Sequence, residues 1–206
     1  MRIVIPDLGL SNLWSVGRAL EVLGHDAVPT RDPETVAAAD FLVLPGVGAF
    51  GEAASRLAQT GLGEAIRAAA GRGCRVLGIC LGMQLLFESS EEGGGSRGLG
   101  LLPGDVARLS GEARVPHIGW NRVVATARGA PLFGNGAGAD LYFVHSFAAR
   151  PSREDVVLAR CLHGESFPAA VRQGAFLGFQ FHPEKSGEAG VRLLGRAIAS
   201  LSESNQ

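Results

Sequence analysis

Short, uniformly apolar runs alternate with amphipathic stretches through the first half of the chain. Ile3-Val4-Ile5 ends at Pro6-Asp7, and Phe41-Leu42-Val43-Leu44 ends at Pro45-Gly46. A run without a polar face predicts a strand covered on both sides. Between these runs Leu13, Val16, Leu20 and Leu23 recur at helical spacing, with Ser11 or Asn12 as cap and Gly24 as the stop. Alanine-rich helical stretches follow around 52–57 and 64–70, then a strand over 75–79. This alternation predicts an α/β fold, a mostly parallel central sheet flanked by helices.

The texture changes after Gly93-Gly94-Gly95-Ser96, a flexible surface loop too short to link domains. Segments 105–109, 121–125, 141–148, 156–161, 169–172 and 176–181 read as strands without long helices between them. They predict an antiparallel or mixed extension of the same sheet in the C-terminal half. A last helix carries Val191, Leu194, Ile198 and Leu201 on one face, which should pack back on the core. There is no internal repeat, so 1–206 is expected to form one domain.

Composition narrows the function classes. The 206 residues are enough for one full-sized core, and 46% hydrophobic with 19% charged residues is a globular balance. Net charge is −1 without a basic block, so electrostatics gives no reason to expect nucleic acid or anionic membrane as partner. An acid and a proline interrupt the amino terminus too early for a signal peptide, and no apolar stretch reaches bilayer length. Cys74, Cys80 and Cys161 are odd in number and lack C-x-x-C spacing, and no His-x-x-x-His pair occurs. A reducing, cytoplasmic setting is expected, with neither metal nor cofactor.

The candidate chemistry begins at Gly78-Ile79-Cys80-Leu81-Gly82, a strand-to-helix turn of the nucleophile-elbow type with cysteine at its apex. The amino end of the following helix favours thiolate. Taken alone, the same pattern also describes a small buried thiol in a glycine-flanked turn. A nucleophile needs a base and a group to orient it. His182 closes the apolar run FLGFQF and is followed by Pro183-Glu184, so one strand end could deliver both. Alone, that stretch reads better as an exposed polar turn after an edge strand. His25 and His163 sit beside glycines in turns, and His145 lies inside a strand, where a hydrogen-bonded structural role is the default. The Pro45-Gly46-Val47-Gly48 loop could present the N–H of Val47 or Gly48, with that of Leu81, to a tetrahedral oxyanion.

Together, PGVG, GICLGMQ and FQFHPEK resemble the class I (triad) glutamine amidotransferases. PHIGWN and YFVHS, with PGVGAF and CLGMQLLFE, are similar within that family to glutaminase subunits of imidazole glycerol phosphate synthase. The resemblance implies a flavodoxin-like fold and hydrolysis of L-glutamine by a Cys80–His182–Glu184 triad through a glutamyl thioester. It implies an oxyanion hole of Val47, Gly48 and Leu81, a loop associated in this family with a peptide reorientation. Gly46, Gln84, Glu92, His145 and Ser146 match positions around the glutamine. Asn12, Pro116, Trp120, Asn121, Tyr142 and Lys185 match positions at the interface with a (β/α)8-barrel cyclase subunit, which receives the ammonia in a heterodimer. The family usually reads Asp-Tyr-Gly-x-Gly-Asn after the first strand, where this chain has Asp7-Leu8-Gly9-Leu10-Ser11-Asn12. That departure leaves the triad untouched and bears on the partner-facing loop.

Overall fold

The computed structural model describes residues 1–10, 13–134 and 138–203. The first half runs β1 (Arg2–Pro6), α1 (Leu13–Val22), β2 (Asp26–Thr30), α2 (Pro33–Ala37), β3 (Phe41–Gly46), α3 (Phe50–Gln59), α4 (Leu62–Gly71), β4 (Arg75–Cys80) and α5 (Leu81–Leu85). Short strands β5 (Ser89–Ser90) and β6 (Ser96–Arg97) follow, then β7 (Gly104–Arg108), β8 (His117–Ala125), α6 (Ala130–Phe133), β9 (Ala139–His145) and β10 (Phe147–Pro151). The chain continues through β11 (Val157–His163), β12 (Glu165–Gln173), β13 (Phe176–Phe179) and α7 (Gly187–Glu203). No helix of the described residues is long and apolar enough to cross a membrane.

Among the described residues the main sheet has nine strands in the order β2-β1-β3-β4-β13-β12-β11-β8-β9. From β2 to β13 the pairings are parallel, and from β13 to β9 antiparallel. Alternate residues of the parallel strands face opposite layers. Ile3, Ile5, Val43, Leu77 and Ile79 pack with α1 and α7 through Val16, Leu20, Leu194 and Ile198. Val4, Leu42, Leu44 and Val76 pack on the other face with Phe50, Leu57, Ile66 and Met83. Hence these strands carry no polar face in the sequence.

Two elements escape the hydrophobic pattern. The edge strand β2 contains Pro29, which only an edge tolerates, and it is half-exposed. Helix α2 is five residues long, too short for periodicity, although Asp32 caps it and Pro33 opens it. The extension of the sheet is as expected for β12, β11, β8 and β9, but not for segment 105–109. That segment, as β7, pairs with β10 and β5, and β6 joins through β5, in a separate sheet of four described strands. The expected strand 141–148 breaks at Ser146 because its first part belongs to the main sheet and its second to the smaller one.

Strands β3, β4 and β13 lie side by side with their carboxyl ends at one edge: Gly46 pairs with Cys80, and Phe179 with Ile79. Loops leaving that edge of a parallel sheet form the usual ligand crevice.

Candidate active site

Cys80 ends β4 and caps α5 with φ +54° and ψ −111°, the one non-glycine residue at positive φ among those described. Such a conformation stores strain and persists only where its surroundings enforce it. The enforcement is visible at the flanking glycines. A Cβ on Gly82 would lie 1.7 Å from the Leu44 carbonyl oxygen, and one on Gly78 would lie 2.7 Å from the Gly82 backbone. Strand, turn and helix therefore pack backbone to backbone, which turns the thiol outward from the sheet edge. The helix that follows has only five residues, so local N–H groups at its start matter more than a macrodipole.

His182 follows β13 and is fixed by the backbone around it. Its N–H donates to the Tyr142 carbonyl at 2.9 Å, and the buried Ser186 hydroxyl donates to the His182 carbonyl at 2.6 Å. Ser186 Oγ also accepts the Tyr142 N–H at 2.9 Å, clamping the turn to β9. His182 Nδ1 lies 2.8 Å from Glu184 Oε1, and both side chains are 2% exposed. The far atoms of the pair, His182 Nε2 and Glu184 Oε2, are buried without a hydrogen bond of ordinary geometry. Burial alone pulls the imidazole pKa down, but the Cys80 thiol and the Glu184 carboxylate outweigh it and raise it to about 9. The proton-bearing imidazole is thus the favoured form beside the sulfur.

A cavity of about 230 Å³ opens over the thiol, lined by Cys80, Leu81, Val47, Gly48, Gln84, Glu92, Pro116, His145 and Ser146, with Val144 and Phe147. It lies below the roughly 300 Å³ at which drug-sized sites begin, a size for a single amino acid. Gly46 lies beneath the lining, buried on β3 beside Cys80. Of the expected oxyanion donors, one is already engaged. The Val47 N–H donates to the Leu10 carbonyl at 3.2 Å, so it cannot also serve an oxyanion in this arrangement. Gly48, at φ +101°, sits at the loop apex, where a backbone of this kind favours glycine.

Glu92 does more than project from a loop. Its Oε2 accepts the Phe50 N–H at 2.7 Å, capping α3, which has no side-chain cap at Ala49. Gln84 is buried, with its amide nitrogen 2.8 Å from the Phe147 carbonyl and 3.1 Å from Gln180 Oε1. Gln180 is fully buried and touches the candidate nucleophile: its Nε2 lies 3.7 Å from Cys80 Sγ.

His145, on the cavity wall, is backed by two more histidines. His145 Nδ1 lies 2.9 Å from the Phe147 carbonyl, which can only accept, so that nitrogen carries the proton. Its Nε2 then accepts from His117 Nδ1 at 3.0 Å, and His117 Nε2 accepts from the Asn121 amide at 3.2 Å. The chain requires both rings neutral. Burial lowers His145 to about 3, and burial with the charge of His163 lowers His117 to about 4. His163, expected merely in an exposed turn, stacks on His117 with ring centroids 4.0 Å apart.

Of the expected partner-facing residues that are described, only Pro116 lines the cavity. Trp120 and Tyr142 are register partners on β8 and β9 with rings 6.2 Å apart, and Lys185 Nζ lies 5.9 Å from the Tyr142 ring. Asn12 lies outside the described residues. Sequence reasoning missed Gln180 and Ser186. The available signal was a glutamine inside an apolar run, since a buried amide must find partners.

A strained cysteine elbow, a buried His–Glu pair and a small cavity at the carboxyl edge of a parallel sheet describe an amide-cleaving site. The chain belongs to the class-I glutamine amidotransferases, whose family model matches residues 4–198. It is 48% identical over 192 residues to the imidazole glycerol phosphate synthase subunit HisH of Moorella thermoacetica, covering 93% of this chain and 91% of that one. To the subunit of the same name from Symbiobacterium thermophilum it is 49% identical over 207 residues, covering 97% and 96%. Among solved structures, one described as a glutamine amidotransferase superposes with a TM-score of 0.76 at 23% identity, covering 97% of this chain and 98% of that one. PurLQS from Thermotoga maritima gives 0.73 at 22% identity, covering 97% and 98%. At these identities the structural likeness speaks for the fold.

Proposed function

We propose that this chain is the glutaminase subunit of an imidazole glycerol phosphate synthase, with 1–206 as one glutamine amidotransferase domain working in the cytoplasm. Cys80 attacks the side-chain amide carbon of L-glutamine, and the imidazolium of His182 gives its proton to the departing nitrogen. Ammonia leaves and a glutamyl thioester remains. His182 then takes a proton from water, the resulting hydroxide attacks the thioester, and the thiolate leaves with release of glutamate. Glu184 holds the ring through Nδ1 and stabilises its charge.

The observation that carries this reading is Cys80 at positive φ beside the buried His182–Glu184 pair. The oxyanion needs donors at the sulfur side of the cavity. Leu81 N–H stands at the start of α5, and freeing Val47 N–H from Leu10 supplies the second. We assign to that bond the resting state of the enzyme: movement of the loop carrying Leu10 lets the Val47 peptide turn.

The partner is a cyclase subunit, a (β/α)8 barrel in a heterodimer, which uses the ammonia to form imidazole glycerol phosphate and the aminoimidazole carboxamide ribonucleotide. Support for such a surface is the exposed apolar side chains of β8 and β11, with Trp120 59% exposed against Tyr142 and Lys185, and Leu162 70% exposed on the neighbouring strand. Ammonia that escapes to water at neutral pH becomes ammonium and cannot attack, so coupling hydrolysis to the acceptor's presence avoids waste. Glutaminase assays with and without the cyclase and its nucleotide test the proposal. Low activity alone and a large rise in the complex are expected. Full activity of the isolated chain would instead make it a free-standing hydrolase.

A further inference from the structure

Gln180 sits two residues before His182, fully buried, with its backbone N–H anchored on the Ala169 carbonyl at 2.9 Å. Its side-chain orientation is fixed by a chain of one-way hydrogen bonds. The Phe147 carbonyl can only accept, so the Gln84 amide turns its nitrogen toward it. The second hydrogen on that nitrogen goes to Gln180 Oε1 at 3.1 Å. With its oxygen committed to Gln84, Gln180 has only its NH2 group to offer the sulfur, at 3.7 Å.

We propose that Gln180 is a further catalytic residue, its side-chain N–H donating to Cys80 Sγ and stabilising the thiolate. The inference rests on Cys80 being the nucleophile. A donor of this kind is selective among the states of the sulfur. It binds the anionic thiolate more strongly than the neutral thiol or the thioester sulfur. It therefore favours the charged nucleophile before attack and the leaving thiolate when the thioester is hydrolysed. Because an amide does not titrate, it does so without adding a charge to the cavity. The sulfur's other neighbours are the Val144 carbonyl, 4.0 Å away, and the titratable His182 backed by Glu184, while His145 and Glu92 line the same cavity. Gln84 acts here as a positioning residue, since its donation settles which end of Gln180 meets the sulfur.

The test is alkylation of the full chain by iodoacetamide as a function of pH, with the labelled cysteine identified by mass spectrometry. Cys74 and Cys161 provide an internal contrast, because burial pushes both thiols up to about 12. The wild type should label at Cys80, and Cys80→Ser should abolish that label. In Gln180→Met, which keeps the volume and loses the donor, the pH midpoint of alkylation should move up by about one unit. Gln180→Glu keeps the shape and guards against a folding failure of the Met variant. Its acceptor-only carboxylate should move the midpoint further in the same direction. An unchanged midpoint in a folded variant overturns the inference while leaving Cys80 as nucleophile. Failure of the wild type to label at Cys80 overturns both.

Discussion

His182 Nδ1 and Glu184 Oε1 stand 2.8 Å apart with both side chains 2% exposed. This pair gives the fold a distinctive stability profile. His182 is raised from its ordinary 6.5 to about 9, against burial, by Cys80 and Glu184. Between those values the folded state holds more protons than the unfolded chain, so its stabilising contribution, full below pH 6.5, is lost as pH rises to about 9. His117 and His145 act on the other side. Burial lowers them to about 4 and 3, so their contribution is present above 6.5 and lost as pH falls. Chemical denaturation across pH should give a maximum near neutrality. The alkaline limb should fall by up to about 1.4 kcal/mol per pH unit for the one proton. Glu184→Gln should flatten that limb, and an unaltered slope would refute the assignment to His182.

Replacing the proposed nucleophile separates glutamine hydrolysis from use of the ammonia. Cys80→Ala should lower glutamine-dependent turnover of the complex by about 10⁴-fold or more, because the triad acts as a unit. Synthesis supplied with ammonium salt at high pH should continue at the wild-type rate, since no residue of the cyclase is touched. Glu184→Ala should be milder, on the order of 10² to 10⁴-fold, as an orienting member acts through the histidine. Loss of ammonia-dependent synthesis in a complex that still assembles would place Cys80 outside the role assigned to it.

The parallel half of the fold was legible because Ile3 to Ile5 and Phe41 to Leu44 are buried on both faces and carry no polar positions. The cysteine elbow was legible because glycines at 78 and 82 answer a local demand of the backbone. What lay beyond the sequence was pairing between distant segments. Nothing local to Asp105 or Ala149 says that their strands leave the main sheet for a smaller one. Similarly, Glu92 reads as a loop residue until folding sets its carboxylate against Phe50, forty-two positions away. Gln180 was hidden for the opposite reason. It lies in plain view beside the histidine, but its partners come from elsewhere, Cys80 from the end of β4 and Gln84 from helix α5. The bond from Val47 to Leu10 belongs to the same class, a backbone contact without a side-chain signature.

Gly82 sets a test of the elbow itself. A methyl group there would stand 1.7 Å from the Leu44 carbonyl oxygen, which belongs to the backbone of a central strand and cannot rotate away. Gly82→Ala should therefore destabilise by about 3 kcal/mol or more. Thermal unfolding reads the loss, and Gly71→Ala, with open space around its Cβ, is the control. Equal melting of the two variants would mean that α5 packs less closely on β3 than described here.

Glu92 combines two demands that separate under substitution. One oxygen accepts the Phe50 N–H and supplies the side-chain cap that Ala49 cannot, while the carboxylate also borders the cavity where we place the glutamine. Glu92→Ala should lose the cap, at about 1 kcal/mol and a few degrees of melting temperature, and should also raise KM for glutamine. Glu92→Gln retains a carbonyl oxygen for Phe50 N–H but removes the negative charge that we propose attracts the substrate's ammonium. Its melting temperature should therefore return close to wild type while KM stays high, about tenfold above it for a lost charge pair in a partly buried site. Melting curves of the chain and steady-state kinetics of the complex measure the two effects on the same preparations. Recovery of both together in the glutamine variant would reduce Glu92 to a helix cap.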